Sequence, residues 1–265
     1  MNNFFDIKRF WKYICYDVRR ARNNYWLSLL IIGLVPIIVF VLQQCFAQLF
    51  NGDWGEGNIG IQIGAYFTAL IVIVISFPTK VYGSITQKRA GSEWICIPAS
   101  GFEKFLSMIL VTCVLLPACF GFLFFGSDAL LSAAVPFYGK PLASYITDLN
   151  TKLLEETDGI LQIKIIPMLY LSWCSSILCF TLGAIFFKRS KAAKTILVTF
   201  AISIIFSFIS TAVMGQTSFT IDDFTDISDM ESFARGINLY VNITSVITFT
   251  LLLGGLYARI KTIKH

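Results

Sequence analysis

The sequence predicts an all-α integral membrane protein with six transmembrane helices and an N-terminal amphipathic interfacial helix. Hydrophobic residues make up 56% of the 265 residues and charged residues only 14%, whereas soluble proteins carry roughly 25% charged residues. The mean hydropathy is +0.72. The apolar residues also fall into runs of about the length that a hydrocarbon core requires, roughly 20 residues. These observations together favour a multi-span membrane protein.

Six apolar runs are long enough to cross a bilayer, and none contains Asp, Glu, Lys, Arg or His. A charge at the bilayer centre costs about 2.5–3.5 kcal/mol on insertion scales, so their absence from the runs favours insertion. The predicted spans cover residues 25–48, 59–78, 105–127, 165–187, 195–215 and 239–258. Residues 25–258 then form one transmembrane domain, preceded by an interfacial helix at 1–24 and followed by a tail at 259–265.

The distribution of basic residues predicts that both termini are cytoplasmic. Seventeen of the 21 Lys and Arg residues lie before the first span, in the connections 79–104 and 188–194, or in the tail. Basic residues beside membrane spans favour the cytoplasmic side. Twelve of the 16 acidic residues lie on the opposite side. The net charge of +5 therefore reflects membrane orientation and does not indicate a nucleic-acid partner.

The segment before the first span has the pattern of an amphipathic helix. Phe4, Ile7, Trp11, Ile14 and Val18 recur at steps of three and four, and basic residues fill most positions between them. Such a helix lies in the membrane interface, with its apolar face against lipid or a neighbouring helix and its basic face toward anionic headgroups. A general membrane anchor and a docking surface for a partner both fit this pattern.

Two segments on the predicted outer side carry recognisable patterns. Leu142, Ile146, Leu149 and Leu153 have helical spacing that ends at Gly159, which predicts a short amphipathic helix. The connection 216–238 is acidic with interspersed aromatic residues. Either an interfacial element or a solvated loop would have this composition.

Few residues are available for catalysis or metal binding. The single histidine is His265, no cysteine pair has C-x-x-C spacing, and no charge lies within a span. These features disfavour a histidine-based zinc site, an ion-coupled transporter and a membrane enzyme. The chain also has no P-loop motif, so any ATP hydrolysis belongs to another subunit. We predict no catalytic residues, cofactor or metal.

The fifth predicted span carries a stripe of small hydroxyl residues at intervals of four. Such stripes let helix backbones approach closely and form hydrogen bonds across an interface. A helix-packing interface and the lining of a substrate pathway are both compatible with this pattern. The stripe consists of Thr199, Ser203, Ser207 and Thr211.

The connection between the second and third spans has an unusually specific sequence. We expect the helix of the second span to continue through residues 80–89 to Gly91, with Trp94 returning toward the membrane surface. Ser100 and Glu103 have the spacing of a capping box, which predicts that the third helix begins there. The connection should therefore be a rigid elbow.

This elbow carries a resemblance to a known family. The stretch "IPASGFEKFLSMIL", residues 97–110, resembles the PAS-x-x-EKF-type turn that follows the second span in bacterial six-span permeases of the ABC-2 type. The order of parts, from the basic N-terminal helix to the sixth span, is also similar. The resemblance implies that this connection and the N-terminal helix contact an ATP-binding subunit. Residue by residue, the resemblance extends to Pro98, Ala99, Ser100, Glu103, Lys104 and Phe105, and more loosely to Trp11. As coupling residues we predict Trp11, Lys88, Arg89, Trp94, Pro98, Ser100, Phe102, Glu103 and Lys104.

The resemblance implies a permease subunit of an ABC transporter in the bacterial cytoplasmic membrane. It would act as a homodimer or heterodimer, and a separate ATPase subunit would drive export or movement of a substrate. The alternative is a membrane scaffold or regulatory subunit of an envelope complex that does not transport. Its outer loops would then bind an envelope protein.

Overall fold

The computed structural model describes residues 5–51, 57–156, 165–214 and 227–263. Within these ranges, side chains are described except at 51, 88–90, 150, 152–156, 165–169, 206, 209–214 and 227–241. All regular secondary structure in the described ranges is helical. The predicted all-α class is therefore confirmed.

The described helices follow one another with short connections. A π-helical segment lies at Leu110–Leu115, and 3₁₀ turns lie at Gly83–Thr86 and Pro136–Tyr138. The α-helices are α1 Ile7–Gly33, α2 Val35–Asn51, α3 Ile59–Val81, α4 Lys88–Cys96, α5 Gly101–Ile109, α6 Leu116–Ala134, α7 Leu142–Glu156, α8 Ile165–Phe186, α9 Lys191–Met214 and α10 Ile227–Thr262.

Several of these helices are long and apolar enough to cross a membrane. Three described stretches qualify by length and composition, namely Ile59–Val81, Gly101–Ala134 and Asn242–Thr262. A fourth span results if α1 and the following helix, which are bent by 40° relative to each other, are counted as one. The two other predicted spans correspond to α8 and α9, of 22 and 24 residues, which include positions without described side chains. The chain therefore has the apolar helices of a membrane protein.

The first predicted span does not begin at a helix boundary. α1 runs without a break from the basic segment into the apolar segment, and the chain bends at Leu34, before Pro36. Ser127 Oγ donates to the Gly33 carbonyl at 2.9 Å, which supplies a partner beside the bend. A Cβ at Gly33 would lie 2.5 Å from Leu123 Cβ, so α1 and α6 approach too closely here for a larger residue.

The third predicted span is a composite helix. α5, the π-helical segment and α6 form one apolar stretch of 34 residues. Pro117 has no N–H to donate to the Cys113 carbonyl four residues earlier. The Tyr170 hydroxyl of α8 donates to this carbonyl at 2.6 Å. A tertiary contact thus compensates the bond that proline removes.

The expected helical extension over residues 80–91 was wrong. α3 ends at Val81, the 3₁₀ turn follows, and α4 begins at Lys88 and passes through Gly91. The interruption allows Tyr82 and Ile85 to be completely buried. The Lys191 ammonium donates to the Gly83 carbonyl, which satisfies an acceptor that a continuous helix would bond internally.

The helix predicted from Leu142 onward is confirmed as α7, although its expected end at Gly159 lies outside the described residues. Asp128 of α6 holds its start in place. This carboxylate is buried and accepts hydrogen bonds from the Tyr138 hydroxyl and from the Leu142 amide, the latter at 2.6 Å. The acidic connection is helical from Ile227 onward, and residues 216–226 lie outside the described part.

The core lies mainly around α8, which contacts α3, α9 and α10. Ile177, Leu178 and Ile185 of α8 and Leu256 of α10 are fully buried. α1 packs against α3, α5 and α6, which brings its N-terminal half beside the elbow. The two segments that the sequence singled out for partner binding are therefore neighbours.

Candidate functional site at the junction of α1, α4 and α5

The predicted capping box at the start of α5 is confirmed. Ser100 has extended backbone angles, φ −67° and ψ 156°, and its hydroxyl accepts a hydrogen bond from the Glu103 amide at 3.2 Å. In return, Glu103 Oε2 accepts from the Ser100 amide at 2.8 Å. Two N–H groups that helix geometry leaves unbonded are thereby satisfied.

Glu103 also ties α5 to the start of α1. Its fully buried carboxylate receives the Arg9 guanidinium, with Nε 2.8 Å from Oε2 and Nη2 2.7 Å from Oε1. The Asp6 amide, at the N-cap of α1, donates to Oε1 at 3.0 Å. Paired, charge-assisted hydrogen bonds fix orientation as well as distance. One side chain thus caps α5 and anchors the first turn of α1.

Lys104 ties α5 to α4. Its ammonium is buried, donates to the Trp94 carbonyl at 2.8 Å, and lies 4.4 Å from the centroid of the Trp94 ring. Desolvated cation–π contacts of this kind are stabilising. The Trp94 Nε1–H donates to the Tyr13 hydroxyl at 3.1 Å, which continues the contacts to α1.

A second buried carboxylate, Asp17 of α1, lies deeper in the same junction. Its Oδ2 accepts from Ser107 Oγ at 2.9 Å and from the Tyr82 hydroxyl at 3.2 Å. Burial, together with the neighbouring Asp17, raises the pKa of Tyr82, so this hydroxyl keeps its proton and remains a donor. Among the described residues, no hydrogen bond reaches Asp17 Oδ1.

We call this set of contacts the polar junction. It connects α1, the end of α3, α4 and α5 through buried or half-buried polar side chains, and burial of such groups requires that they be bonded. Its members are Arg9, Tyr13, Asp17, Tyr82, Trp94, Glu103, Lys104 and Ser107.

The 3₁₀ turn before α4 is bonded to α1 and also to α9, which lies outside the polar junction. Arg20 of α1 donates to Ser84 Oγ, and the Lys191 ammonium of α9 donates to Thr86 Oγ1 as well as to the Gly83 carbonyl. The segment from Gly83 to α5 is consequently attached at both ends. Attachment of this kind is what a rigid elbow requires, and the rigidity itself stays a prediction.

The predicted coupling residues fall into buried and exposed groups. Trp94, Glu103 and Lys104 are buried in the polar junction, so they can position the elbow but not touch a partner. Phe102 is 47% exposed and Trp11 is 68% exposed.

The other predicted coupling residues divide in the same way. Pro98 is exposed, and Ser100 is partly buried as the helix cap. Lys88 and Arg89 start α4, and their side chains lie outside the described part. The exposed side chains Trp11, Pro98 and Phe102 are therefore the described positions from which a partner can be contacted.

Phe102, on the exposed surface of the elbow, contacts aromatic residues of the N-terminal segment and of α10. Its ring centroid lies 6.1 Å from that of Phe5 and 6.4 Å from that of Tyr257 of α10, and both pairs are arranged edge to face. It thus lies where the N-terminal segment, the elbow and the last helix meet.

The hydroxyl stripe on α9 faces away from the core. Thr199 is half-buried, Ser203 and Ser207 are exposed, and the side chain of Thr211 lies outside the described part. The hydroxyls of Thr199 and Ser203 donate to carbonyls of the preceding turn of α9. The described part of the stripe therefore lies on the surface of the chain and does not line its interior.

Sequence reasoning missed five members of the polar junction, namely Arg9, Tyr13, Asp17, Tyr82 and Ser107. A usable signal was present in α1, where Arg9, Tyr13, Asp17, Ala21 and Tyr25 recur at intervals of four. Residues at this spacing share one helix face. This row faces the protein, whereas Ile7 and Trp11 of the predicted apolar stripe are exposed.

The polar junction has no arrangement typical of a metal centre. In the described ranges, no three His, Cys, Asp or Glu side chains converge as metal ligands. The buried hydrogen bonds of the polar junction fix the positions of its helices relative to one another.

Comparison of the chain with protein-family models, curated proteins and solved structures found no significant match to any of them. The resemblance in the elbow consequently depends on residues 97–110 and on the order of the predicted parts.

Proposed function

We propose that the protein is a membrane-embedded permease subunit of an ABC-2-type transporter, driven by a separate ATPase. The observation that carries this proposal is the position of Glu103. Its carboxylate caps α5 and binds the first turn of α1. The two elements that contact the ATPase in the resembled family are thereby joined through one residue.

A joint of this kind suits force transmission. Closure of the ATPase would push on residues 87–102 and on the N-terminal helix. Because Glu103 and Lys104 attach the elbow to α1 and α4, the displacement would pass to the third membrane helix rather than being absorbed by a loop. Exposed Trp11, Pro98 and Phe102 would form the contact surface.

The proposal includes a membrane arrangement and a partner copy. Six spans, with both termini in the cytoplasm of a bacterial cell, agree with the distribution of basic residues. A homodimer or heterodimer would place twelve spans around the transport pathway. The hydroxyl stripe of α9, in which Ser203 and Ser207 are exposed and Thr199 is half-buried, would lie at the dimer interface or line that pathway, together with Thr211.

Affinity purification from the native host tests the proposal. Tagged wild-type protein, extracted in mild detergent, should co-purify an ATP-binding subunit in a ratio near one to one. Phe102→Ala should reduce this subunit in the eluate at least about tenfold, since a central aromatic contact contributes on the order of 2 kcal/mol to an interface.

Phe137→Ala is the matched control. Phe137 is 50% exposed, close to the value for Phe102, but lies beside α7 at the other end of the molecule. It should retain the ATPase at the wild-type level. Absence of an ATP-binding protein from the wild-type eluate would contradict the proposal and favour the scaffold alternative. Equal loss with both variants would show that Phe102 is not part of a specific contact.

A further inference from the structure

Two cavities lie next to each other along one side of α1. The first, of ≈ 190 Å³, lies between α1, α3 and the third membrane helix, and its lining includes Ala21, Phe77, Leu115 and Cys119. The second has a volume of ≈ 350 Å³, and the described residues that line it belong to α1. Val18 and Arg22 line both, so the cavities form one groove, which we call the α1 groove.

The α1 groove changes in polarity along its length. Its first cavity is apolar except for Arg22, whereas Arg19 and Arg22 both face the second. Both arginines are exposed, and no ion pair joins either of them to a carboxylate in the described part of the chain. Trp26, 50% exposed, lines the apolar cavity one helical turn after Arg22. Tryptophan is enriched in membrane proteins at the interface between the bilayer and water.

We propose that the α1 groove binds one anionic phospholipid. The phosphate contacts the guanidinium groups of Arg19 and Arg22, and an acyl chain occupies the apolar cavity beside Leu115 and Cys119. Arginine suits phosphate because its planar group can donate two parallel hydrogen bonds. The proposal rests on the membrane placement of α1 and not on transport or an ATPase.

Charge complementarity favours a lipid over a second copy of the chain. A protein helix lying in the groove would have to bring a carboxylate to Arg19 and Arg22. Three helices with much exposed apolar surface, α2, α3 and α9, contain no acidic residue. In α10 the acidic residues Asp229 and Glu231 come before the exposed apolar stretch that begins at Ile243. An anionic phospholipid supplies both the negative group and the apolar chain.

Native mass spectrometry of the full-length protein in detergent tests the proposal. The protein is delipidated and titrated with phosphatidylglycerol or phosphatidylcholine, and bound lipids are counted. The wild type should retain one phosphatidylglycerol in preference to phosphatidylcholine. Each arginine should contribute about fivefold in affinity for an anionic lipid, so Arg19→Gln/Arg22→Gln should weaken phosphatidylglycerol binding about 25-fold. Phosphatidylcholine, whose choline group neutralises the phosphate charge, should lose less than about fivefold.

Lys8→Gln/Lys12→Gln is the matched control, because it removes the same charge from exposed positions of α1 that do not line the groove. It should change phosphatidylglycerol affinity by less than threefold. An equal loss in both double variants would overturn a defined site, as would unchanged binding in the arginine variant. If the arginine variant loses a dimer and keeps its lipid, a second copy occupies the groove and the proposal is wrong. Cys119→Phe, which reduces the apolar cavity, should weaken binding independently of charge.

Discussion

At the scale of single residues, Glu103 has more structural roles than its sequence motif indicates. The motif assigns it to a capping box, which concerns only the start of α5. The structure adds the Arg9 guanidinium and the Asp6 amide as further donors to the same carboxylate. Glu103 therefore determines where the N-terminal helix lies relative to the elbow.

Glu103→Gln should loosen the first turns of α1 without unfolding the protein. The substitution keeps the shape of the side chain but removes its charge, and hydrogen bonds to a charged group are worth about 1.5–3 kcal/mol. We expect amide hydrogen exchange over residues 6–13 to accelerate about tenfold or more, as measured by mass spectrometry. Unchanged exchange would show that the carboxylate does not anchor α1.

Asp148→Asn provides the comparison for this prediction. It removes a second ion pair of the described residues, between Lys140 and Asp148 at 3.4 Å, whose side chains are largely exposed. Exposed pairs contribute roughly 0–1 kcal/mol. Exchange in α7 should therefore change by less than about fivefold.

At the scale of helices, the third predicted span shows how sequence and tertiary contacts combine. Pro117 predicts an interruption, but a proline alone does not specify which group takes over the free carbonyl. The structure places the π-helical segment before it, and Tyr170 donates to the Cys113 carbonyl. π-segments inside helices are rare and often lie at functional positions.

Tyr170→Phe should destabilise the protein by about 1 kcal/mol, because it leaves the Cys113 carbonyl without its donor. In a Pro117→Ala background the backbone N–H returns, so the same substitution should have little effect. Unfolding in detergent, analysed as a double-mutant cycle, measures this coupling. Additive effects would contradict the proposed compensation.

Tyr145→Phe is the control for the loss of a tyrosine hydroxyl. Tyr145 lies in α7 and is 38% exposed. Surface substitutions of this kind usually change stability by less than about 0.5 kcal/mol. Its effect should be the same in the presence and absence of Pro117.

The helices also show where sequence reasoning reached its limit. The capping box and α7 were predicted correctly because each depends on a local pattern. The extension of the second helix to Gly91 was wrong because the interruption at Tyr82 depends on Lys191, 108 residues away from Gly83. A contact between residues so far apart in the sequence cannot be recognised from a local sequence pattern.

At the scale of the whole molecule, α9 is the least covered of the described apolar helices. Leu197, Phe200, Ile202, Ile205 and Phe208 are all exposed by more than half. Such a surface needs lipid or another helix, and the exposed hydroxyl stripe favours helix packing. A dimer partner, as the proposed function requires, would contribute such a helix.

The proposed topology can be measured by cysteine labelling in intact cells. In a cysteine-free variant, Asp148→Cys should react with a membrane-impermeant maleimide from outside, because α7 is predicted to lie on the outer side. Arg189→Cys and Lys261→Cys should react only after permeabilisation, since both lie in basic segments. All three native side chains are exposed, so access is decided by the membrane. The reverse pattern would invert the proposed orientation.

The sequence by itself determined the helical class, the apolar membrane character and the local start of α5. These depend on composition and on contacts within about four residues. The tertiary structure decided which face of α1 packs on the protein, and it assembled the polar junction from four segments. In a membrane protein, apolar residues face lipid as readily as the core. The hydrophobic stripe Ile7 to Val18 therefore could not identify the buried face, and buried polar side chains such as Asp17, which need bonded partners, mark it instead.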